Sequence, residues 1–192
     1  IFSSTIDSIT NVSPVPITIT FNESVTGFEV DDLTYNSVPF STVSFSAFSG
    51  SDNIYTVNVI PSSDGLLSII IPDSTSQDIA GNFNVSSSFN FTYDTAGPTP
   101  IMNLSSDGPG TVGTSLETIT LWVAYQSNGP FSGPETILSL TSDDFIVDNA
   151  TITDLSDSMS VAFDYFLLAP ISDGIVTVSI PDSVVTDWAG NY

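Results

Sequence analysis

The chain has 192 residues and 22 carboxylates but no Lys, Arg, His or Cys, which gives a formal net charge of −22. Those absences remove the usual catalytic base, the thiol nucleophile and every imidazole or thiolate metal site, so an enzyme is not expected. Nothing remains to neutralise a phosphate backbone, and the charge repels nucleic acid and anionic membranes alike.

A packed core is nonetheless within reach, because 41% of the residues are apolar and thirteen are Phe, too many for a disordered polymer. In chain order, the first strand signal is Ile17, Ile19 and Phe21 alternating with Thr18 and Thr20, one face buried and one solvated. The alternation recurs in Tyr55/Val57/Val59, in Phe89/Phe91/Tyr93 and in Ile119/Leu121/Val123/Tyr125. Asp64-Gly65 and Asp173-Gly174 supply turn chemistry before the strands Leu66–Ile71 and Ile175–Ile180. No segment carries a helical period. Strands punctuated by short Gly, Pro, Asp, Asn and Ser turns specify an all-β sandwich.

The turns also repeat. Residues 61–83, PSSDGLLSIIIPDSTSQDIAGNF, align without a gap on residues 170–192, PISDGIVTVSIPDSVVTDWAGNY, and about half the positions are identical. The offset of 109 residues is the size of one sandwich domain. Upstream, Asp31-Asp32-Leu33 resembles Asp143-Asp144-Phe145 in a slightly different register, and the Gly/Pro-rich insertion Ser127–Pro134 accounts for the shift. The junction is Asp94-Thr95-Ala96-Gly97-Pro98-Thr99-Pro100, where two prolines make a short, stiff connection. Two tandem sandwiches are therefore expected end to end as a rod: residues 1–94, a junction at 95–100, and residues 101–192. After Asn82 the first copy continues into a final strand, Val85–Tyr93, which the second copy lacks after Asn191. The second sandwich is expected to be completed from outside, by a following part of a longer chain or by residues 1–9 or an equivalent segment of an adjacent copy.

Phe21-Asn22-Glu23-Ser24-Val25-Thr26-Gly27-Phe28, the acidic-Leu step and the closing Asp78-Ile79-Ala80-Gly81-Asn82 resemble the bacterial Ig-like repeats of large surface adhesins and biofilm-associated proteins. Similar repeats occur in surface and flagellar-hair glycoproteins of protists and algae. The closing motif returns as Asp187-Trp188-Ala189-Gly190-Asn191, and Asp94–Pro98 looks like the junction between such units. The resemblance covers the whole first copy and mainly the last third of the second, which lacks the F-x-E-x-V-x-G-F segment. It implies an Ig-like sandwich, an extracellular or cell-surface location and a spacer or fibre role, with Ca2+ often stiffening the junctions of related repeats; the missing strand makes copies of itself or adjacent repeats the expected partners.

Because 22 carboxylates have no internal cation, compensation by Ca2+, salt, acidity or spacing is expected, Ca2+ being suited to oxygen donors. Asp78 and Asn82 with Asp94, and Asp187 with Asn191, read either as Ca2+ ligands or as tight turns in which Gly81 and Gly190 supply positive φ. Asp143–Asn149 lacks the spacing of a calcium loop and reads as a solvated acidic edge. Six Asn-x-Ser/Thr sequons, at Asn11, Asn22, Asn84, Asn90, Asn103 and Asn149, fit an exported glycoprotein. Asn84, Asn90 and Thr92 share a parity opposite to Phe89, Phe91 and Tyr93 and are expected to point outward. Asp94-Thr95-Ala96-Gly97 departs from a protease D-T-G at Ala96 and reads as a linker. Trp122 and Trp188 do not assemble a sugar platform in the sequence, and Trp188 is expected to pack. No apolar run has the length of a membrane span, and the piece reads as mature or excised. The reading is a non-catalytic structural repeat of an extracellular, glycosylated filament or appendage; an adhesin stalk or carbohydrate-binding module is the alternative.

Overall fold

The computed structural model describes residues 2–105, 118–126, 140–155 and 163–192. The Ser127–Pro134 insertion lies outside them. The chain divides into two compact units, Ile1–Thr95 and Ala96–Tyr192. Among the described residues the regular structure is all strand apart from two short 3-10 turns.

The first unit holds β1 (Phe2–Ser4), β2 (Ile9–Thr10), β3 (Val15–Thr20), β4 (Val25–Thr26), β5 (Thr34–Val38), β6 (Val43–Ser51), β7 (Ile54–Pro61), β8 (Gly65–Ile71), β9 (Gln77–Asp78) and β10 (Ser87–Tyr93). One sheet runs β1-β3-β7-β6, the other β2-β10-β8-β5, and β4 with β9 forms a small ribbon. The first edge strand is split. Its opening part lies antiparallel on β3, and its second part crosses over to run parallel with β10. Two facing four-stranded sheets that share one split edge strand make the immunoglobulin-type sandwich.

The core follows from the period-two pattern. Val15, Ile17 and Ile19 of β3, Val57 and Val59 of β7, Leu67 and Ile69 of β8, and Phe91 of β10 all face inward. At one pole Phe21, Phe28, Phe48 and Tyr55 add edge-to-face and stacked ring contacts. Phe2 pairs with Ile19, near that pole. The chain leaves at the other pole: Tyr93 pairs with Gly65, and the Thr95 N–H donates to Asp64 Oδ1 at 3.0 Å. The unit is therefore threaded from one end to the other.

The second unit holds β11 (Thr99–Ser105), β12 (Ile119–Gln126), β13 (Ile146–Asp148), β14 (Ala150–Asp154), β15 (Phe163–Pro170) and β16 (Thr177–Ser179). Its larger sheet, β11-β12-β15-β14, reproduces the four-stranded sheet of the first unit. Its second sheet contains, among the described residues, only β13 and β16, with no equivalent of β10. Leu121, Val123, Phe166 and Leu168 form the core, with Phe145 edge-on to Phe166 at 4.7 Å.

The acidic steps that resemble each other in sequence form matching 3-10 turns, Val30–Asp32 and Ser142–Asp144. In each, the third residue's carboxylate accepts the backbone N–H that precedes the turn: Glu29 to Asp32 and Thr141 to Asp144, both at 2.8 Å. Asp144 is thus a cap within the acidic stretch rather than a freely solvated charge.

Candidate functional site

The residues that carry the family resemblance meet at one pole of the first unit. β4, from the F-x-E-x-V-x-G-F segment, pairs with β9 of the closing motif, Val25 opposite Asp78. Val25 and Phe28 are buried, and Phe21 meets Phe28 edge-on at 5.2 Å. The segment is therefore a packing device, with Glu23 left at the surface.

The closing motif folds back on itself. The Asn82 backbone N–H donates to Asp78 Oδ1 at 2.8 Å, its side-chain amide donates to Oδ2 at 2.8 Å, and the Asp78 N–H donates to the Asn82 carbonyl at 3.0 Å. Gly81, at φ +90°, makes the reversal. Donation from the Asn82 side chain, then from its backbone N–H, holds the Asp78 carboxyl below its ordinary value. Asn191 and Asp187 repeat the same bonds, with Gly190 at φ +87°. There the turn also holds the start of its own unit. The Asn191 amide reaches the Ala96 carbonyl, and Gly97 lies so close to the Tyr192 carbonyl that a Cβ would collide with it.

This geometry separates the Ca2+ candidates. Asp78 and Asn82 lie at the pole where β8 ends, whereas buried Asp94 follows β10 at the other pole, its N–H on the Thr10 carbonyl. Seven residues of β10 stand between them, about 20 Å at the usual rise, so one ion cannot take Asp94 together with Asp78. In both turns the Asn presents N–H donors to the carboxylate, and a cation needs oxygen donors instead. Among the described residues no group of three or more acidic side chains is arranged to hold a metal.

The sequons divide by surroundings. Asn22, Asn90 and Asn103 are exposed. Asn84 is not outward-pointing as parity implies: its Oδ1 accepts the Thr75 and Ser76 N–H groups at 2.9 and 2.8 Å, and its amide donates to the Pro72 carbonyl at 2.8 Å. Asn149, at φ +58°, ties the 172–175 loop in the same way, donating to the Ser172 carbonyl at 3.1 Å and accepting from the Ser172 hydroxyl at 2.8 Å. Asn11 is half-buried and hydrogen-bonded or otherwise engaged. Trp188 does not pack as expected; it is 63% exposed, as Ile79 is in the first copy. Trp122 lies on the outer face of β12, in register between Asn103 and Tyr165.

Two polar groups lie on inward-facing positions of the second unit. Tyr125 continues the inward parity of Leu121 and Val123, and its buried hydroxyl has no hydrogen-bond partner among the described residues. Asp164 shares the inward parity of Phe166 and Leu168, and burial, then the nearby Asp154, raises its pKa.

Two facing sheets and a self-closing motif at one pole define an immunoglobulin-type module. Residues 3–95 match the family model of the bacterial Ig-like domain, so the first unit is a bacterial Ig-like domain. That family is a non-enzymatic fold, and its members are typically surface-exposed. No curated protein and no solved structure matches the chain. No helix among the described residues is long and apolar enough to cross a membrane.

Proposed function

We propose that the chain is a non-catalytic structural repeat of an extracellular, glycosylated filament or cell-surface appendage. The observation that carries this reading is the threading of the first unit. The chain runs in near Phe2 at one pole and out at Thr95 at the other, the arrangement that lets domains be strung in series. The exposed sequons Asn22, Asn90 and Asn103 leave room for glycans on that surface. Ca2+ enters this reading as a diffuse counter-ion for a surface of net charge −22, not as a ligand set within the turns. Electron microscopy of the native material, averaged along any fibre axis, tests the proposal. A regular filament with a two-domain repeat is expected, and isolated flexible stalks would reassign the chain to an adhesin spacer.

A second reading, carbohydrate binding, is favoured by the outward row of Asn103, Trp122 and Tyr165, since flat aromatic faces suit sugar rings. Glycan binding that Trp122→Ala abolishes would favour it.

A further inference from the structure

Asn103, Trp122 and Tyr165 stand side by side on three neighbouring strands. Asn103 of β11 is opposite Trp122 of β12, and Trp122 is opposite Tyr165 of β15. Asn103 and Tyr165 are exposed, and Trp122 is half-buried between them. The first unit's sheet has the corresponding strand order, and its matching row is Ser3, Thr18 and Thr56. Thr56 falls on Tyr165 at the repeat offset of 109. The second copy therefore changes all three places together, two to aromatics and one to the Asn of the sequon Asn103-Leu104-Ser105. Asn90, the other exposed sequon on a strand, has different neighbours: it is opposite Ser68, and Ser68 is opposite Asn36.

We infer that this row seats the chain's own glycan: an N-acetylhexosamine joined to Asn103 lies flat on Trp122, and the next sugar lies over Tyr165. The bond joins sugar C1 to Asn103 Nδ2. A diphosphate-linked glycosyl donor loses its diphosphate with the electron pair of the C1–O bond, and the amide gives up one proton. Directly opposite residues on antiparallel strands hold their Cβ atoms about 5 Å apart, so the first ring hung from Asn103 meets Trp122 at once. Tyr165 stands one strand further, about 4.8 Å on, within reach of the second ring. The C–H face of a pyranose carries slight positive charge and suits the negative face of an indole or phenol ring. Charge agrees with this. The carboxylates on this sheet, Asp154 and Asp164, stand at the register of inward Phe166 and Val123, so an uncharged sugar displaces no hydrated ion from the outer face. The covalent tether selects the occupant, because a sugar fixed at Asn103 is held beside the row at high local concentration and excludes a free one.

This placement rests on the glycoprotein reading, and the whole chain made in a glycosylating eukaryotic cell tests it. Site-resolved mass spectrometry of its glycopeptides is expected to find Asn103 occupied. Blocking that glycan by Asn103→Gln, or by Ser105→Ala, which keeps Asn103, is expected to lower the second unit's urea midpoint. The loss reaches about fivefold in its folding equilibrium, the upper worth of one cross-strand aromatic contact. Trp122→Thr restores the first unit's residue and leaves Trp188 as the fluorescent reporter; in that background the same block is expected to cost nothing further. Equal losses in the two backgrounds, or none in either, overturn the inference. So does binding of a free oligosaccharide to the glycosylated chain that Trp122→Thr abolishes, which gives the row to foreign sugars. A bare Asn103 beside an occupied Asn22 or Asn90 overturns it while leaving the glycoprotein reading intact, and bare sequons throughout overturn both.

Discussion

The side-chain amide of Asn191 donates to one oxygen of the Asp187 carboxylate at 2.9 Å while the Asn191 backbone N–H donates to the other, also at 2.9 Å. Asn82 makes both bonds to Asp78, although Asp187 is only 3% exposed and Asp78 stands nearer to solvent. One five-residue motif thus closes the same ring in two settings. Removing the amide leaves a buried carboxylate short of a donor in the second unit and a solvated one in the first. Asn191→Ala is therefore expected to cost the second unit about 1–2 kcal/mol, with Asn82→Ala changing the first unit less. Trp122 and Trp188 are the chain's two tryptophans, so indole fluorescence during urea unfolding reads the second unit alone.

Because N–H groups close both rings and a diffuse counter-ion is replaceable by other salt, chelation at constant ionic strength is expected to leave the urea midpoint unchanged. A midpoint that falls with chelator at that ionic strength and returns with Ca2+ but not with added Na+ would mean a bound ion.

Asp164 and Asp78 impose opposite pH dependences. Burial, then Asp154, raises the Asp164 pKa above its ordinary value of 3.8. The folded state holds that proton more tightly than the unfolded one, so the second unit loses stability as pH rises from 3.8 through the raised value. Asp78 is lowered by the Asn82 donors, so its contribution is present above 3.8 and lost as pH falls through its lowered value. Asp164→Asn is expected to flatten the loss in the second unit, read by tryptophan fluorescence in urea from pH 3 to 7. An unchanged slope would mean that Asp164 is solvated.

Tyr125 offers a substitution that improves the protein. Its hydroxyl is buried with no hydrogen-bond partner among the described residues, and burial, then Asp164 and Asp144, pushes its pKa above the ordinary range. Removing an unsatisfied polar atom while keeping the ring is neutral or stabilising, by up to about 1 kcal/mol. Tyr125→Phe is expected to raise the tryptophan-monitored urea midpoint, and a lowered midpoint would reveal a bond to that hydroxyl.

Strand parity was legible wherever a strand is long and one face is covered: Ile17/Ile19 and Tyr55/Val57/Val59 alternate in sequence and in burial, although β3 ends at Thr20, before Phe21. The repeat likewise exposed both closing turns, because Gly81 and Gly190 must take positive φ in each copy. What the sequence hid is long-range. That β4 meets β9 depends on residues about fifty positions apart, and no local period encodes it. The short β2 crosses sheets on two residues, too few to carry a pattern. Asp94 and Asp78 are near along the chain, yet the whole of β10 separates them in space, which no local pattern encodes.

Asn84 shows the same effect at one residue, and it carries the last prediction. Its parity with Asn90 points outward only if the strand extends back to it, but β10 begins at Ser87 and Asn84 belongs to the preceding loop. There it acts as a spacer between Pro72 and Ser76, accepting two backbone N–H groups and donating to the Pro72 and Val85 carbonyls. Asn84→Ala strands those groups and is expected to cost the first unit about 1–3 kcal/mol. Asn90, exposed on the outer face of β10 opposite Ser68, should tolerate Ala within about 0.5 kcal/mol. Urea unfolding followed by far-UV circular dichroism compares the two variants. Equal effects would mean that Asn84 is no more than a surface residue, and would restore it as a glycan acceptor equivalent to Asn90.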